Sequence, residues 1–128
     1  ALRNYGLYFG MAFQLVDDWL DYEGDSKVMG KNVGNDLAEG KVTLPLIYTI
    51  KHGETDDAKT VYAAVKNRAI GNPHPVIEAV RRSGALDYTK TRAEEFSERA
   101  LEELVSLPPS IHREALESLA GFAVTRMS

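Results

Sequence analysis

The feature that most constrains the fold is an apolar run from Tyr5 to Tyr22, which contains no proline and no charged residue before Asp17. Its apolar residues recur at helical spacing, and no stretch of the chain alternates with period two for long. The run predicts a helix from about Leu2 to Glu23, roughly 33 Å long, with Gly24 as its C-terminal cap. We therefore expect an all-α fold of about six helices with no sheet.

One edge of this predicted helix carries Gly10, Gln14, Asp17, Asp18 and Asp21, while the opposite side is apolar. Two interpretations are open: a solvated acidic edge on a surface helix, or carboxylates that share cations. Unpartnered carboxylates are costly in apolar surroundings, and like charges nearby raise that cost. Because a surface helix is normally polar over a wider arc, the apolar surroundings favour the second interpretation. Hard oxygen ligands at this spacing suit Mg²⁺, which also takes substrate phosphate oxygens.

A glycine-rich stretch from Gly24 to Lys41 follows, and its basic residues are Lys27, Lys31 and Lys41. Its glycines and its lack of apolar periodicity predict a loop. Glycine backbone beside lysines can approach phosphate closely, although the spacing is not that of a P-loop. Alone this is weak support for a phosphate site. Next to an acidic helix edge it gains weight, because the acids would hold Mg²⁺ and the lysines the anion that Mg²⁺ bridges.

The rest of the chain predicts further helices. Thr43 and Pro45 indicate the start of one that Gly53 ends. Asp56 and Asp57 fit the acidic first turn of the next helix better than a metal site. Three more helices are expected. They are a short one from Val76 to Ser83-Gly84, a long one from Leu86 to Leu107 ended by Pro108-Pro109, and a final one carried by Leu116, Leu119, Ala120, Ala123 and Met127. The core side of the long helix is predicted to hold Tyr88, Ala93, Phe96, Ala100, Leu104 and Leu107.

Composition excludes several classes of protein. The chain has 128 residues, a net charge of −4 and no cysteine. The acidic balance disfavours nucleic acid as a partner, and the lack of cysteine rules out disulfides and thiolate metal sites. The apolar run is too short to span a bilayer and no secretory signal precedes it, so we expect a cytoplasmic protein. The chain opens without Met or a capping signal, which suggests a fragment that begins inside a helix.

Two motifs resemble those of the trans-polyprenyl diphosphate synthases. Residues 13–21, Phe-Gln-Leu-Val-Asp-Asp-Trp-Leu-Asp, resemble the second aspartate-rich motif of that family, FQxxDDxxD. Residues 30–45 resemble its GKxxGxDLxxGKxTLP stretch, and residues 119–126 are similar to the C-terminal helix of long-chain bacterial members. The resemblance implies the isoprenoid-synthase fold. It also implies that residues 1–128 are one all-α segment, the C-terminal part of a polyprenyl synthase domain whose N-terminal part is absent.

The resemblance implies a prenyltransferase that joins isopentenyl diphosphate to an allylic diphosphate. In that family, Mg²⁺ on two facing aspartate-rich motifs removes diphosphate from the allylic substrate, the carbocation alkylates isopentenyl diphosphate, and a proton is lost. The implied metal ligands are Asp17, Asp18 and Asp21, Asp17 most directly. Implied substrate-binding residues are Phe13, Gln14, Lys31 and Lys41, and the implied catalytic residues are Asp17, Lys31 and Lys41. A homodimer and peripheral membrane contact for product release are also implied.

The departure from the family pattern is large. The first aspartate-rich motif, the Arg pair after it and the N-terminal lysine and arginine for isopentenyl diphosphate have no counterpart, and Arg81-Arg82 is not that pair. Since one motif cannot clamp both sides of the leaving diphosphate, the isolated segment should be inactive or nearly so. The alternative function is a non-catalytic helical regulatory subunit of a prenyltransferase heteromer. The local sequence resembles most the long-chain members that make octaprenyl or decaprenyl diphosphate.

Overall fold

A computed structural model describes residues 1–23, 41–67 and 74–127. These ranges contain helices and no strand, which confirms the all-α prediction. The helices are α1 Leu2–Glu23, α2 Leu44–His52, α3 Thr55–Asn67, α4 His74–Arg82, α5 Ala85–Leu104 and α6 Ile111–Thr125. Gly24, Lys27, Lys31 and the rest of the predicted glycine-rich loop up to residue 40 lie outside the described residues. None of the helices in these ranges is both long and apolar enough to cross a membrane.

The chain divides into two compact units. The first contains Ala1–Asp17 and Lys90–Ser128, and the second contains Asp18–Thr89. The unit boundaries fall inside α1 and α5, so each of these helices contributes residues to both units.

The core of the second unit is formed by the end of α1 and by α2, α3, α4 and the start of α5. Its buried residues are Tyr22, Leu46, Val61, Val76, Ile77, Ala79, Val80, Ala85 and Leu86. Arg81 donates to the carbonyl oxygen of Tyr22 from Nη2 at 2.7 Å and from Nε at 3.0 Å. A helix end leaves its last carbonyls without intrahelical partners, so Arg81 of α4 satisfies the C-terminal end of α1.

The core of the first unit joins the start of α1 to α5 and α6. Its buried residues are Tyr5, Ala100, Leu104 and Ala120. The hydroxyl of Tyr5 donates to the carbonyl of Leu116 at 2.6 Å, and Ser97 Oγ donates to the carbonyl of Ala120 at 2.9 Å. Small residues and side-chain hydrogen bonds therefore hold these three helices together.

Helix boundaries follow the sequence closely, and the predictions for the end of α5 and for the capping role of Thr43 are corrected. Helix α5 ends at Leu104 and not at Leu107, because its last turn tightens into a bond from Leu107 N to the Leu104 carbonyl at 3.0 Å. Pro108 then restricts the residue before it. Thr43 stands at the N-cap of α2, but its hydroxyl makes no capping bond, and within the described residues that buried oxygen has no hydrogen-bond partner.

Tyr88 on α5, predicted to face the core, is exposed, and so is Leu119 of the apolar set that carries α6. On α6 the buried positions are Ala120 and Ala123, with Met127 just beyond the helix, which is a narrower stripe than the apolar pattern suggested. Tyr88 instead stacks on Tyr48 of α2 within the second unit, with ring centroids 4.8 Å apart. Periodicity indicated the right side of each helix but not the width of its buried stripe.

Two adjacent residues of α2 test the core of the second unit. Leu46 is fully buried, whereas Ile47 is exposed. Leu46→Ala should lower the free energy of unfolding by about 2–5 kcal/mol, through lost burial and the cavity left behind. Ile47→Ala, the matched control, should cost less than about 1 kcal/mol because much of its side chain already contacts water. Equal losses for the two variants in urea unfolding would contradict this assignment of the core.

Two glycines should respond to the same substitution with opposite signs. Gly84, between α4 and α5, has φ +86°, whereas Gly121 lies inside α6, and an added Cβ meets no atom within 4 Å at either position. Gly84→Ala should lower the free energy of unfolding by about 1–2 kcal/mol, because a left-handed conformation is costly for a residue with a Cβ. Gly121→Ala should raise it by about 0.5–1 kcal/mol through helix propensity. Urea unfolding of both variants checks the two signs.

Candidate functional site

The acidic edge of α1 lies in the last two turns of that helix. Asp21 is fully buried, with 0% of its surface exposed, and Asp18 is 5% exposed. Asp17 differs, because 40% of its side chain is exposed. The interpretation as a solvated edge is therefore wrong for Asp18 and Asp21. Gly10, on the same edge, has open space where a Cβ would stand in the described structure.

Within the first unit, Asp17 is paired with the C-terminal cap residue of α6. Arg126 Nη2 donates to Asp17 Oδ1 at 3.1 Å. The same guanidinium lies 5.2 Å from the centroid of the Phe13 ring, a cation–π distance. Phe13 in turn neighbours Phe9 at a centroid distance of 6.1 Å. A cation from the end of the chain thus contacts two residues of the aspartate-rich stretch.

Within the second unit, Asp18 faces Lys41, the lysine just before α2. Lys41 Nζ lies 4.0 Å from Asp18 Oδ1, with the Asp18 side chain 7% exposed and that of Lys41 48% exposed. At this distance the contact is an ion pair without a short hydrogen bond. Two residues from the two sequence motifs are therefore neighbours in space.

The predicted site residues within the described ranges are divided between the two units. Phe13 and Gln14 are exposed. Both belong, with Asp17, to the part of α1 that lies in the first unit. Asp18, Asp21 and Lys41 belong to the second unit. Arg126 was missed by sequence reasoning, because it lies 109 residues from Asp17 and no local spacing connects them.

The oxygen donors on this edge of α1 are of the kind that Mg²⁺ takes. Among the described residues, no three His, Cys, Asp or Glu side chains are grouped as a ready-made metal site. Mg²⁺ seldom uses such a cage, since it keeps several waters and is usually bound by one or two carboxylates together with substrate phosphates. The accessible carboxylate of Asp17 fits that role as one hard oxygen ligand.

The Asp56-Asp57 pair has a different environment at the N-terminus of α3. Asp57 Oδ1 accepts from Arg82 Nη2 at 2.7 Å, and Oδ2 accepts from Arg82 Nε at 3.2 Å. These hydrogen bonds hold the pKa of the Asp57 carboxyl below its usual range. The contact links α3 to α4 and gives Asp57 a structural partner in addition to the helix dipole.

Comparison with known proteins identifies the family. A family model described as polyprenyl synthetase matches residues 1–81. The octaprenyl diphosphate synthase of Escherichia coli (strain K12) is 46% identical over 130 residues, which cover 98% of this chain and 39% of that protein. The all-trans-nonaprenyl-diphosphate synthase (geranyl-diphosphate specific) of Rhodobacter capsulatus is 42% identical over 126 residues, with the same two coverages, 98% and 39%.

Comparison with solved structures indicates the same family. A polyprenyl synthase from Caulobacter crescentus CB15, complexed with calcium and isoprenyl diphosphate, matches with a TM-score of 0.85 and 42% identity over 99% of this chain and 39% of that one. A decaprenyl diphosphate synthase from Rhodobacter capsulatus matches with a TM-score of 0.84 and 30% identity, covering 98% of this chain and 39% of that one. The fold is thus that of the all-α isoprenoid synthases. The chain belongs to the polyprenyl synthetase family, and it spans 39% of the length of these relatives.

The Asp57–Arg82 pair predicts a specific pH dependence of stability. Because the folded-state pKa of Asp57 is lowered, the pair stabilises the fold above the ordinary pKa of aspartate, and this is lost as pH falls through the folded value. Arg82→Gln should therefore be less stable than wild type near neutral pH, and the difference should shrink as the pH falls from neutral into the acid range.

Urea unfolding across that range measures the effect. Asp57→Asn should lose the same pH-dependent part, while Asp56→Asn, one residue away, should keep it. A difference between Arg82→Gln and wild type that stays constant with pH would contradict the assignment.

Proposed function

We propose that the whole protein is a trans-prenyltransferase that condenses isopentenyl diphosphate with an allylic diphosphate to give a trans-polyprenyl diphosphate. The observation that carries the proposal is the ion pair between Asp18 and Lys41, which brings an acid of the aspartate-rich motif to a lysine of the second motif. A site for a metal-bound diphosphate needs both signs of charge close together. The 46% identity to an octaprenyl diphosphate synthase supports a long-chain product, octaprenyl to decaprenyl.

The residue roles follow from this chemistry. Asp17, Asp18 and Asp21 are proposed as ligands for Mg²⁺, which when bound stabilises the charge that develops on the leaving diphosphate. Lys31 and Lys41 hold the allylic diphosphate as point charges, and the exposed Phe13 and Gln14 line the substrate side of α1. The partners of Lys41 and Asp17 in the structure show how charge is balanced around these residues, because Asp18 faces Lys41 and Arg126 faces Asp17.

Residues 1–128 are proposed to form a single segment, the C-terminal part of a polyprenyl synthase domain. Support comes from relatives in which the match to this chain covers 39% of the protein. On this proposal the segment alone is not competent, because the opposing aspartate-rich motif belongs to the other part of the domain. A homodimer in the cytoplasm, with peripheral membrane contact to release the apolar product, completes the proposal.

A second candidate is a non-catalytic helical subunit of a prenyltransferase heteromer. One relative, 30% identical over 123 residues, is named heptaprenyl diphosphate synthase component 2, from Bacillus subtilis (strain 168). The two candidates differ in the coding sequence upstream of Ala1. A DDxxD motif followed by an Arg pair there supports the enzyme, and its absence from the natural protein would favour the subunit.

Steady-state kinetics on the full-length protein test the proposed roles. Asp17→Ala should lower kcat by about 100-fold, because the interaction strengthens as charge develops on the leaving group. Lys31→Ala should raise KM for the allylic substrate along with any fall in kcat, since the lysine touches diphosphate before and during ionisation.

Asp56→Ala is the control for both variants. It should change stability by less than about 1 kcal/mol through the helix dipole and leave the kinetics unchanged. If Asp17→Ala kept wild-type kcat at saturating Mg²⁺ while Asp56→Ala lost activity, the metal would have been assigned to the wrong acidic pair.

A further inference from the structure

We propose that Arg126 is a positioning residue that acts as an internal counter-ion of Asp17 and competes with a divalent cation for that carboxylate in the substrate-free protein. The inference rests on the proposed function, since it takes Asp17 as a metal ligand. It joins two separate stretches of the sequence, because Asp17 belongs to the aspartate-rich motif and Arg126 ends the stretch 119–126.

Arg126 is held firmly enough to act in this way. It is the C-terminal cap of α6, where its backbone N–H donates to the carbonyl of Val124. Ala123 and Met127, on either side of it, are both buried in the first unit. A cation is also favoured at the C-terminal end of a helix dipole. The guanidinium is therefore presented by an anchored turn and not by a frayed chain end.

Two contacts position the guanidinium of Arg126. It donates to Asp17 Oδ1 at 3.1 Å and lies 5.2 Å from the centroid of the Phe13 ring. Phe13 is four residues before Asp17 on α1, so ring and carboxylate share one face of the helix. An incoming cation at Asp17 must either displace the guanidinium from both contacts or bind beside it. Both routes weaken the affinity of Asp17 for the cation.

Two opposing contributions decide whether loss of Arg126 tightens or weakens cation binding at Asp17. Loss of Arg126 frees the Asp17 carboxylate to rotate, but an ion pair this exposed, with side-chain exposures of 30% and 40%, contributes little to order. Repulsion between a guanidinium and a divalent ion on the same carboxylate is larger, because the product of charges is doubled. Removing the charge should therefore tighten cation binding, by about five-fold once salt screening is included.

The test is a Mn²⁺ titration of the substrate-free, full-length protein, with free Mn²⁺ measured by electron paramagnetic resonance. Arg126→Gln and Arg126→Met should both bind Mn²⁺ about five-fold more tightly than wild type. Methionine keeps apolar contact with Phe13, so it guards against loss of packing. Arg126→Lys keeps the charge and should bind within about two-fold of wild type. Asp17→Asn should weaken binding, and in that background Arg126→Gln should have no further effect.

Arg92 provides a matched control in the same unit. Arg92 Nη1 lies 2.6 Å from Glu95 Oε2 with 32% of its side chain exposed, and its guanidinium lies 5.0 Å from the centroid of the Phe96 ring. It thus combines the same two kinds of contact, with both partners on α5 and neither in the aspartate-rich motif. Arg92→Gln should leave Mn²⁺ affinity unchanged.

The possible results distinguish a failure of the counter-ion role of Arg126 from a failure of the metal role of Asp17. If Asp17→Asn weakens Mn²⁺ binding but neither Arg126→Gln nor Arg126→Met tightens it, the counter-ion role is wrong and the metal assignment stands. If Arg126→Lys tightens binding as much as Arg126→Gln, charge is not the cause and the inference fails. If Asp17→Asn binds Mn²⁺ as wild type does, the metal role of Asp17 is wrong and the inference falls with it.

Discussion

The desolvation of carboxylates on α1 governs much of what surrounds that helix. A carboxylate moved out of water loses several kcal/mol of hydration, even after relaxation. The helix carries Asp18 and Asp21 into buried positions and leaves Asp17 partly exposed. In each unit, one of these acids faces a cation that a distant part of the chain supplies, Arg126 for Asp17 and Lys41 for Asp18. Charge balance thus ties residues far apart in sequence to one helix.

The end of α1 has a second requirement, which is the satisfaction of its last carbonyls. Arg81 of α4 meets it with two donors on the carbonyl oxygen of Tyr22, next to Asp21. An arginine has the planar fork for such a two-donor contact, which a lysine lacks. The adjacent Arg82 does a different task, since it pairs with Asp57 of α3. Two neighbouring arginines therefore fix two different helices, and their spacing in sequence indicated neither partner.

Sequence reasoning succeeded where the structure depends on residues close together in sequence. The apolar period and the lack of proline predict α1 with the bounds that the structure has, Leu2–Glu23. Sequence reasoning failed where the burial or the partner of a residue depends on helices far away in sequence. Leu119 is as apolar as Leu116 but is exposed, because the helices that pack on α6 cover only a narrow stripe. Arg126 could not be assigned, since an ion pair across 109 residues leaves no periodic signal. The roles of Lys31 depend on a motif resemblance alone, as that residue lies outside the described ranges.

If Mg²⁺ binds at this edge as proposed, Asp17 and Asp18 should respond to it differently, because the exposed fractions of their side chains differ. The pair of Asp17 with Arg126 is partly exposed on both sides, and exposed ion pairs are typically worth about 0–1 kcal/mol. A divalent ion can replace such a partner at small cost. The Asp18 carboxylate is nearly inaccessible, and removing the partner of a buried charge costs more than losing a surface pair. We therefore propose Asp17 as the exchangeable ligand that a metal–diphosphate complex would meet first. On the same proposal, Asp18 would balance the charge of Lys41 and would reach the metal only once an anion pairs with that lysine.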